Sequence, residues 1–182
     1  MAPGALTPAD LDALLARPCP SCGRAHLRAR ALAPASMDFL EGEPVSSLRW
    51  TFVPEELAAR VYRVECEGCG AALHARDDCP RCRSRGGLER ALAGRHGLDG
   101  AAAIPAACPR CDHPEVKASV EARMHLVVVQ GRVSRRVADA APGEGGFHVT
   151  ALACPSCEEV FAEAPSLRCA TCGRSSLLKR PG

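Results

Sequence analysis

Cys19-Pro20-Ser21-Cys22-Gly23 is the first of six Cys-x-x-Cys pairs in this chain, and the spacing of these pairs decides the fold. The pairs use all twelve cysteines: Cys19/Cys22, Cys66/Cys69, Cys79/Cys82, Cys108/Cys111, Cys154/Cys157 and Cys169/Cys172. They form two sets of three, and the matching pairs of the two sets lie 89, 88 and 90 positions apart. This regularity predicts an internal duplication, with a first unit at residues 1–100 and a second at residues 101–182.

The composition favours metal-bound thiolates over disulfides. Each unit is small, and aromatic residues make up only 3% of the chain, so we expect little buried apolar surface and a need for covalent or metal cross-links. The first ten residues have no basic region followed by an apolar run, which argues against export to an oxidising compartment. No apolar run reaches the roughly 18 residues of a membrane span. We therefore expect a cytoplasmic protein that does not enter a membrane.

The cysteine pairs suit zinc, which takes four tetrahedral thiolate or imidazole ligands with sulfur at about 2.3 Å. One Cys-x-x-Cys turn supplies two sulfurs, so two such turns complete a site. Gly23, Gly70 and Gly173 directly follow a pair, and glycine tolerates the positive φ that curls the backbone beneath a metal. We expect all twelve cysteines to be ligands and about three zinc ions per chain.

The pattern Cys-Pro-x-Cys-Gly, a hairpin, and a second Cys-x-x-Cys resembles zinc ribbons, including the double zinc ribbons. This resemblance covers both units and implies structural zinc sites, but it implies no particular activity. Cys66-x-x-Cys69-Gly70 followed by Cys79-Pro80-x-Cys82 also resembles the paired knuckles of rubredoxin. Iron is the less favoured metal, because rubredoxin-like sites lie among packed aromatic residues.

The sequence favours two schemes for which pairs share a metal, and it leaves incomplete occupancy or two-metal clusters of six cysteines open beside them. In one, the first and second pairs of each unit form a site around the long hairpin, and Cys79/Cys82 with Cys169/Cys172 form a third site between the units. In the other, the second and third pairs of each unit form a site, and Cys19/Cys22 with Cys108/Cys111 join the units. The shorter loops favour the second scheme by about 1–2 kcal/mol, whereas ribbon topology favours the first.

Alternating apolar residues predict long strands over 27–39 and 116–128, since side chains of a strand alternate between its faces. Glu41-Gly42-Glu43 and Gln130-Gly131-Arg132 fit hairpin turns at equivalent places, and a second alternating stretch runs from Leu48 to Phe52. Tyr62, Val64 and Cys66 also alternate, so they are expected on one face of a strand that leads into the second cysteine pair. Pro34 predicts that the first strand is an edge or interrupted strand. Val127-Val128-Val129 departs from alternation, which predicts that both faces are covered there, by the other unit or by a partner.

Helices are predicted to be short and to precede each unit. Thr7 suits an N-cap, Pro8 the first helical position and Asp10 the third. Further helices are expected at residues 54–60 and 88–96, with a linker at 97–105 and a loop at 141–146. The predicted fold is therefore small, metal-bound and mainly β, with duplicated zinc-ribbon units, long antiparallel hairpins and short helices.

The functional expectation is a non-enzymatic zinc-binding structural or adaptor protein that mediates protein interaction or assembly. No nucleophile–base pair, phosphate-binding loop or histidine metal motif occurs, and four-thiolate sites leave no open position for water. Among the histidines, His113 is the one candidate for a substitute metal ligand, since it lies two residues after Cys111. A net charge of +2 gives no overall attraction to polyanions. Local arginine groups at 81–95, at 132–136 and near the C-terminus keep a nucleic-acid-binding or transcription-associated ribbon as one alternative. A rubredoxin-like redox protein is the other.

Overall fold

The computed structural model describes residues 4–76, 78–79, 81–88, 90, 104–138, 147–163, 169 and 171–173. Within these residues the fold is mainly β with few short helices, as predicted. The elements are α1 (Pro8–Leu15), β1 (Leu27–Leu40), β2 (Glu43–Pro44), β3 (Arg49–Trp50), a 3-10 turn (Pro54–Glu56), α2 (Leu57–Arg60), β4 (Val61–Cys66), β5 (Ala72–Ala75), β6 (Glu115–Val129), β7 (Arg132–Ala138), β8 (Phe147–Ala153) and β9 (Val160–Glu163).

All the strands join one antiparallel sheet, whose main path is β5-β4-β1-β6-β8-β9. The two long strands, β1 and β6, form its centre and pair continuously from Ala29↔Leu126 to Leu40↔Glu115. Ala33 pairs with Ala122, and these two alanines lie 89 positions apart, the same separation as the first cysteine pairs. The strands of the two predicted units therefore share a central strand pair. The unit boundary near residue 100 lies outside the described residues and stays a prediction.

The strands on either side of the centre repeat the same irregularities. β4 pairs with β1 and β8 with β6, and the register shift after Arg30 has its counterpart after Ser119, 89 positions later. The outermost pairs, β4–β5 and β8–β9, shift register after Val64 and after Leu152, 88 positions apart. These bulges add a local twist to each strand, and they occur at matching places in both halves of the sheet.

Pro34 lies neither on an edge strand nor at a break in β1, so that prediction is wrong for the strand itself; only the pairing along one side of β1 is interrupted there. β1 is a continuous central strand, with β6 along one side and β4, β2 and β3 along the other. The carbonyl of Pro34 accepts a hydrogen bond from the N–H of Thr51, on the β3 side. Because the N–H and C=O of one strand residue point the same way, the missing donor of Pro34 faces the gap between β4 and β3, where it breaks no pairing.

One face of the sheet carries the hydrophobic core. Alternate residues of β1 and β6 are buried there, most of them alanine, valine or methionine. α1 and α2 cover one half through residues such as Leu11, Leu15 and Leu57, and Ile104 lies over the other half. Of the predicted alternating stretch at 48–52 only β3 is a strand, but Trp50 and Phe52 pack against this core with ring centroids 6.2 Å apart.

α1 begins as its sequence predicts. The hydroxyl of Thr7 accepts the N–H of Asp10, while the carboxylate of Asp10 accepts the N–H of Thr7, which completes a capping box. The predicted helical turn at 54–60 is also present, as the 3-10 turn followed by α2. The predicted 141–146 loop, and most of the predicted 97–105 linker and 88–96 helix, lie outside the described residues.

The valine run in β6 is buried less than expected. Val128 packs partly buried against the core, but Val127 and Val129 are 41% and 53% exposed on the opposite face. Strand alternation therefore continues through the run, and the prediction that the other unit covers both faces is wrong; coverage by a partner stays a prediction. The β6–β7 hairpin extends beyond β8, which leaves these two valines in solvent.

Each hairpin turn lies against a segment that precedes a cysteine pair of the opposite half. Gly131, at φ +74°, faces the C-terminal end of α1, and a Cβ there would lie 3.1 Å from the Cα of Ala16. Gly42, at φ +84°, faces Ile104, with its nearest neighbour 3.6 Å from such a Cβ. The two halves thus contact each other at both ends of the central strand pair.

We expect Gly131→Ala to destabilise the fold more than Gly42→Ala. Both changes place a side chain at positive φ, but only the change at Gly131 also forces backbone atoms apart, so losses of about 2 and about 1 kcal/mol are expected. Denaturant unfolding of the two metal-loaded variants measures the difference. Equal losses would contradict the close contact between the hairpin and α1.

No helix in the described part of the chain is both long enough and apolar enough to cross a membrane.

Candidate metal centre

The twelve cysteines converge into three groups of four, and the sulfurs of each group all lie within 4.8 Å of one another. Cluster 1 contains Cys19, Cys22, Cys66 and Cys69; cluster 2 contains Cys108, Cys111, Cys154 and Cys157; cluster 3 contains Cys79, Cys82, Cys169 and Cys172. This arrangement is the first of the two schemes favoured by the sequence. Clusters 1 and 2 each use the pairs on either side of a long hairpin, and cluster 3 draws one pair from each half.

The separations between sulfurs fit a tetrahedral metal site. Sγ atoms of opposite pairs are 3.6 Å apart twice in cluster 1, 3.6 and 3.7 Å in cluster 3, and 3.8 and 3.6 Å in cluster 2. Four thiolates bound at about 2.3 Å in a tetrahedron would lie about 3.8 Å apart. The separations are far beyond a disulfide bond of about 2.05 Å, and all twelve cysteines are free thiols. The clusters could therefore each hold one metal ion.

All six pairs adopt the same turn. The residue after the second cysteine has a positive φ between 55° and 74°, and its N–H donates to the carbonyl of the first cysteine at 2.8–3.0 Å. Glycine fills this position in three turns, as predicted, whereas Arg83, Asp112 and Glu158 fill it in the others. Non-glycine residues are costly in this region, so we infer that the turn is held by what its two sulfurs bind.

Burial differs systematically between the two cysteines of a pair. The first cysteine of every pair is buried, while the second is exposed or half-buried. Cys19 and Cys66 belong to the hydrophobic core cluster under α1, and Cys79 and Cys169 pack with apolar side chains on the opposite face. Each cluster thus lies at the boundary between apolar packing and solvent, with one ligand of every pair fixed by the core.

Backbone N–H groups stabilise a thiolate in each cluster. Burial opposes ionisation of Cys19, but the N–H groups of Cys22 and Ser21 outweigh it and lower the pKa of Cys19 to about 6. Burial is likewise outweighed at Cys154, where the N–H groups of Cys157 and Ser156 lower the pKa to about 6. In cluster 3 the N–H of Cys172 is the largest influence, and it lowers the pKa of Cys169 to about 5.

The remaining protons are held more tightly because the sulfurs are crowded. The N–H of Ala71 favours ionisation of Cys69, yet the neighbouring Cys19 sulfur and burial raise the pKa of Cys69 to about 11. At Cys111 the N–H of His113 is outweighed by burial and by Cys154, and the pKa rises to about 12. A divalent cation removes this conflict, since it replaces protons and neutralises adjacent thiolates. These donor sets therefore fit a thiophilic cation.

Cluster 3 has surroundings of its own. It packs against Leu32, Tyr62 and Leu88 on the face of the sheet opposite the main core. The hydroxyl of Ser84 lies 3.2 Å from the Cys82 sulfur and 3.6 Å from the Cys169 sulfur. Tyr62 reaches this face because the bulge between β1 and β4 shifts its register relative to Val64. Sequence alternation placed Tyr62 and Val64 together, so this packing was not predicted.

The arginines that the sequence singled out lie at different positions along the sheet. Arg81, Arg83 and Arg85 are exposed in the turn of cluster 3. Cluster 3 packs against Leu32 of β1, which pairs with Arg123 of β6. Arg132 pairs with Val129, six positions further along β6, or roughly 20 Å at about 3.4 Å per residue. Arg95 and the C-terminal basic residues lie outside the described residues.

Histidines play no part in the clusters, as the lack of a histidine motif predicts. Each of the three groups of potential ligands found in the described residues consists of cysteines alone. His74 and His148 are buried in strands. His113 lies 3.7 Å from the carboxylate of Glu115, so the suggestion that it substitutes for a cysteine ligand receives no support from the geometry.

Comparisons with protein-family models, with curated proteins and with solved structures gave no match. The functional argument therefore rests on the clusters and on the surfaces around them.

Removing one cluster should cost one metal ion, with an effect on stability that depends on the cluster. Cys22→Ser/Cys69→Ser and Cys111→Ser/Cys157→Ser disrupt sites that anchor the ends of the sheet. Cys82→Ser/Cys172→Ser leaves the β1–β6 pairing with both end clusters, so a smaller loss of unfolding free energy is expected. Native mass spectrometry and denaturant unfolding measure the two quantities. Loss of more than one ion from a double variant would contradict three independent sites.

His74 should make the fold more acid-sensitive. Its side chain is 7% exposed, its Nε2 has no hydrogen-bond partner, and burial followed by repulsion from Arg76 lowers its pKa. The unfolded chain therefore binds a proton near pH 6.5 and the folded chain only at lower pH. The free energy of unfolding is therefore unaffected by His74 above about pH 6.5. It decreases as the pH falls from there toward the pKa of His74 in the folded state.

His74→Gln should flatten the slope of unfolding free energy against pH below about pH 6.5 relative to the wild type. Metal release at low pH affects both proteins equally. His26→Gln, at an exposed position, is the matched control and should keep the wild-type slope. An unchanged slope in the His74 variant would show that this histidine titrates normally.

Proposed function

We propose that this protein is a non-enzymatic zinc-binding scaffold, built from two zinc ribbons and a third zinc site between them, that mediates protein interaction or assembly. The observation that carries the proposal is the convergence of all twelve cysteines into three four-sulfur clusters. Zinc is the preferred ion because four thiolates in a tetrahedron suit it and it needs no aromatic shell. The matching registers and bulges of the two halves support the duplicated ribbon.

The absence of catalysis is part of the proposal. A metal ion bound by four protein sulfurs has no position for water or substrate, so its role is to hold chain segments together. Clusters 1 and 2 would fasten the strand ends beside each long hairpin, and cluster 3 would fasten residues 79–82 and 169–172 to the opposite face. What remains for function is the surface that these sites keep in place, in a protein that we expect in the cytoplasm.

The metal part of this proposal is tested on protein purified without added metal. Elemental analysis should find three zinc ions and no iron, and replacement by Co²⁺ should produce the visible absorbance typical of tetrahedral thiolate sites. A coloured protein that contains iron and undergoes reversible reduction would instead establish the rubredoxin-like alternative. Fewer than two metal ions per chain would overturn the proposal.

A nucleic-acid-binding role is the second candidate, and the exposed arginines of cluster 3 favour it. Arg81, Arg83 and Arg85 carry three positive charges in one tight turn, next to a buried anchor at Cys79. If this turn contacts phosphates, Arg81→Glu/Arg85→Glu should weaken binding to duplex DNA or RNA and reduce the salt dependence by about two charges. If neither the wild type nor the variant is retained on heparin, the nucleic-acid-binding role is excluded and only the scaffold role remains.

A further inference from the structure

The two hairpin turns at the ends of the central strand pair carry opposite charge. Leu40 pairs with Glu115 at one end of β6, and Val129 begins the turn at the other end, fourteen positions further along. The 40–43 turn and the 129–132 turn therefore lie roughly 48 Å apart, at about 3.4 Å per residue. Equivalent positions differ in kind: Glu41 corresponds to Gln130, and Glu43 corresponds to Arg132, both 89 positions later. Glu41, Glu43 and Arg132 are all exposed.

Neighbouring segments strengthen this difference at the acidic end. The N–H of Glu41 donates to the carbonyl of Pro114 at 3.0 Å, which places the turn beside cluster 2. Asp112 and Glu158, which follow the two cysteine pairs of that cluster, are exposed. The nearby cation Arg110 is already paired with Glu159 at 2.6 Å. We call Glu41, Glu43, Asp112 and Glu158 the acidic tip.

At the opposite end of the central strand pair, the exposed charged side chains near the hairpin turn are basic. Gly131 lies against Ala16, so the 129–132 turn adjoins Arg17 at the end of α1 and the turn of cluster 1. Arg17 and Arg24 are exposed there, whereas the nearby carboxylate of Glu67 is paired with Arg28 at 3.2 Å. We call Arg17, Arg24 and Arg132 the basic tip. A metal ion with four thiolates adds the same net charge to both ends, so it leaves their difference unchanged.

Both tips also expose aliphatic side chains. At the acidic tip Leu40 and Val45 are 40% and 57% exposed, and Val127 and Val129 are exposed in the same way at the basic tip. Leu40 and Val129 occupy equivalent positions, 89 residues apart. An apolar centre with a charged rim is typical of protein interfaces. Each tip therefore offers the other a matching contact.

We propose that the acidic tip of one copy binds the basic tip of a second copy. The chain thus self-associates through its two ends, and two copies placed antiparallel make both contacts at once, which closes a twofold dimer. This inference gives the partner for the assembly role proposed above, but its test is separate from the metal content. The tips are held by clusters 1 and 2, so association requires the metal-loaded fold.

Charge reversal provides the test. Glu41→Lys/Glu43→Lys/Asp112→Lys gives the acidic tip more basic than acidic side chains, and Arg17→Glu/Arg132→Glu gives the basic tip more acidic than basic ones. Each variant alone should be monomeric in sedimentation velocity at 50 mM salt and at concentrations where the wild type forms dimers, with association weakened more than about tenfold. An equimolar mixture should restore the dimer, because each positive end then meets a negative one. Wild-type association should also weaken at 0.5 M salt.

Two controls keep the outcomes distinct. Glu55→Lys changes charge at an exposed position in the 3-10 turn that belongs to neither tip, and should associate like the wild type. Metal content is measured on every sample by native mass spectrometry. A monomeric wild type with three metal ions overturns self-association and leaves the scaffold proposal standing, as does association that survives both charge reversals. A wild type without metal overturns the scaffold proposal itself.

Discussion

Four cysteine sulfurs confined within 4.8 Å are the constraint on which the structure depends. Backbone N–H groups favour ionisation at Cys19, Cys154 and Cys169, while the crowded neighbours Cys69 and Cys111 hold their protons. Without a cation, ionised sulfurs in such a cluster repel one another. A bound cation neutralises them, and its binding free energy stabilises the folded state. An alanine-rich core of modest size cannot replace this contribution, because each buried alanine removes little apolar surface from water.

The cysteine spacing predicted the most, because ligand geometry restricts the chain severely. It indicated six tight turns and all the candidate ligands, and it left two pairing schemes of which the structure contains one. Local signals were equally informative where chemistry is local: the capping box at Thr7 and the glycine turns at residues 42 and 131 occur as predicted. Each of these features depends on residues within a few positions of one another.

Features that depend on distant residues were not predictable from one sequence. Alternation in β1 and in β6 predicted two strands, but nothing in either indicated that they pair with each other. Pro34 did not indicate the position of β1 correctly, because the effect of a proline depends on what lies opposite its missing N–H. Here that side of β1 faces the gap between β4 and β3, while β6 pairs along the other side. Tyr62 was misplaced because a single bulge moves its side chain to the other face. The third cluster also depends on such distant contacts, since its two cysteine pairs lie 90 positions apart in the chain.

The pairing of β1 with β6 has a consequence for how the protein folds. It joins residues as far apart as Ala29 and Leu126, and contacts of such long range slow folding, because their loop-closure entropy is lost before the contacts form. During synthesis the first long strand would be complete well before its partner leaves the ribosome, and one of its sides would lack hydrogen-bonding partners until then. Early capture of a metal ion by Cys19, Cys22, Cys66 and Cys69 would organise this half and limit its aggregation. Metal supply during translation, rather than afterwards, would then set the yield of folded protein.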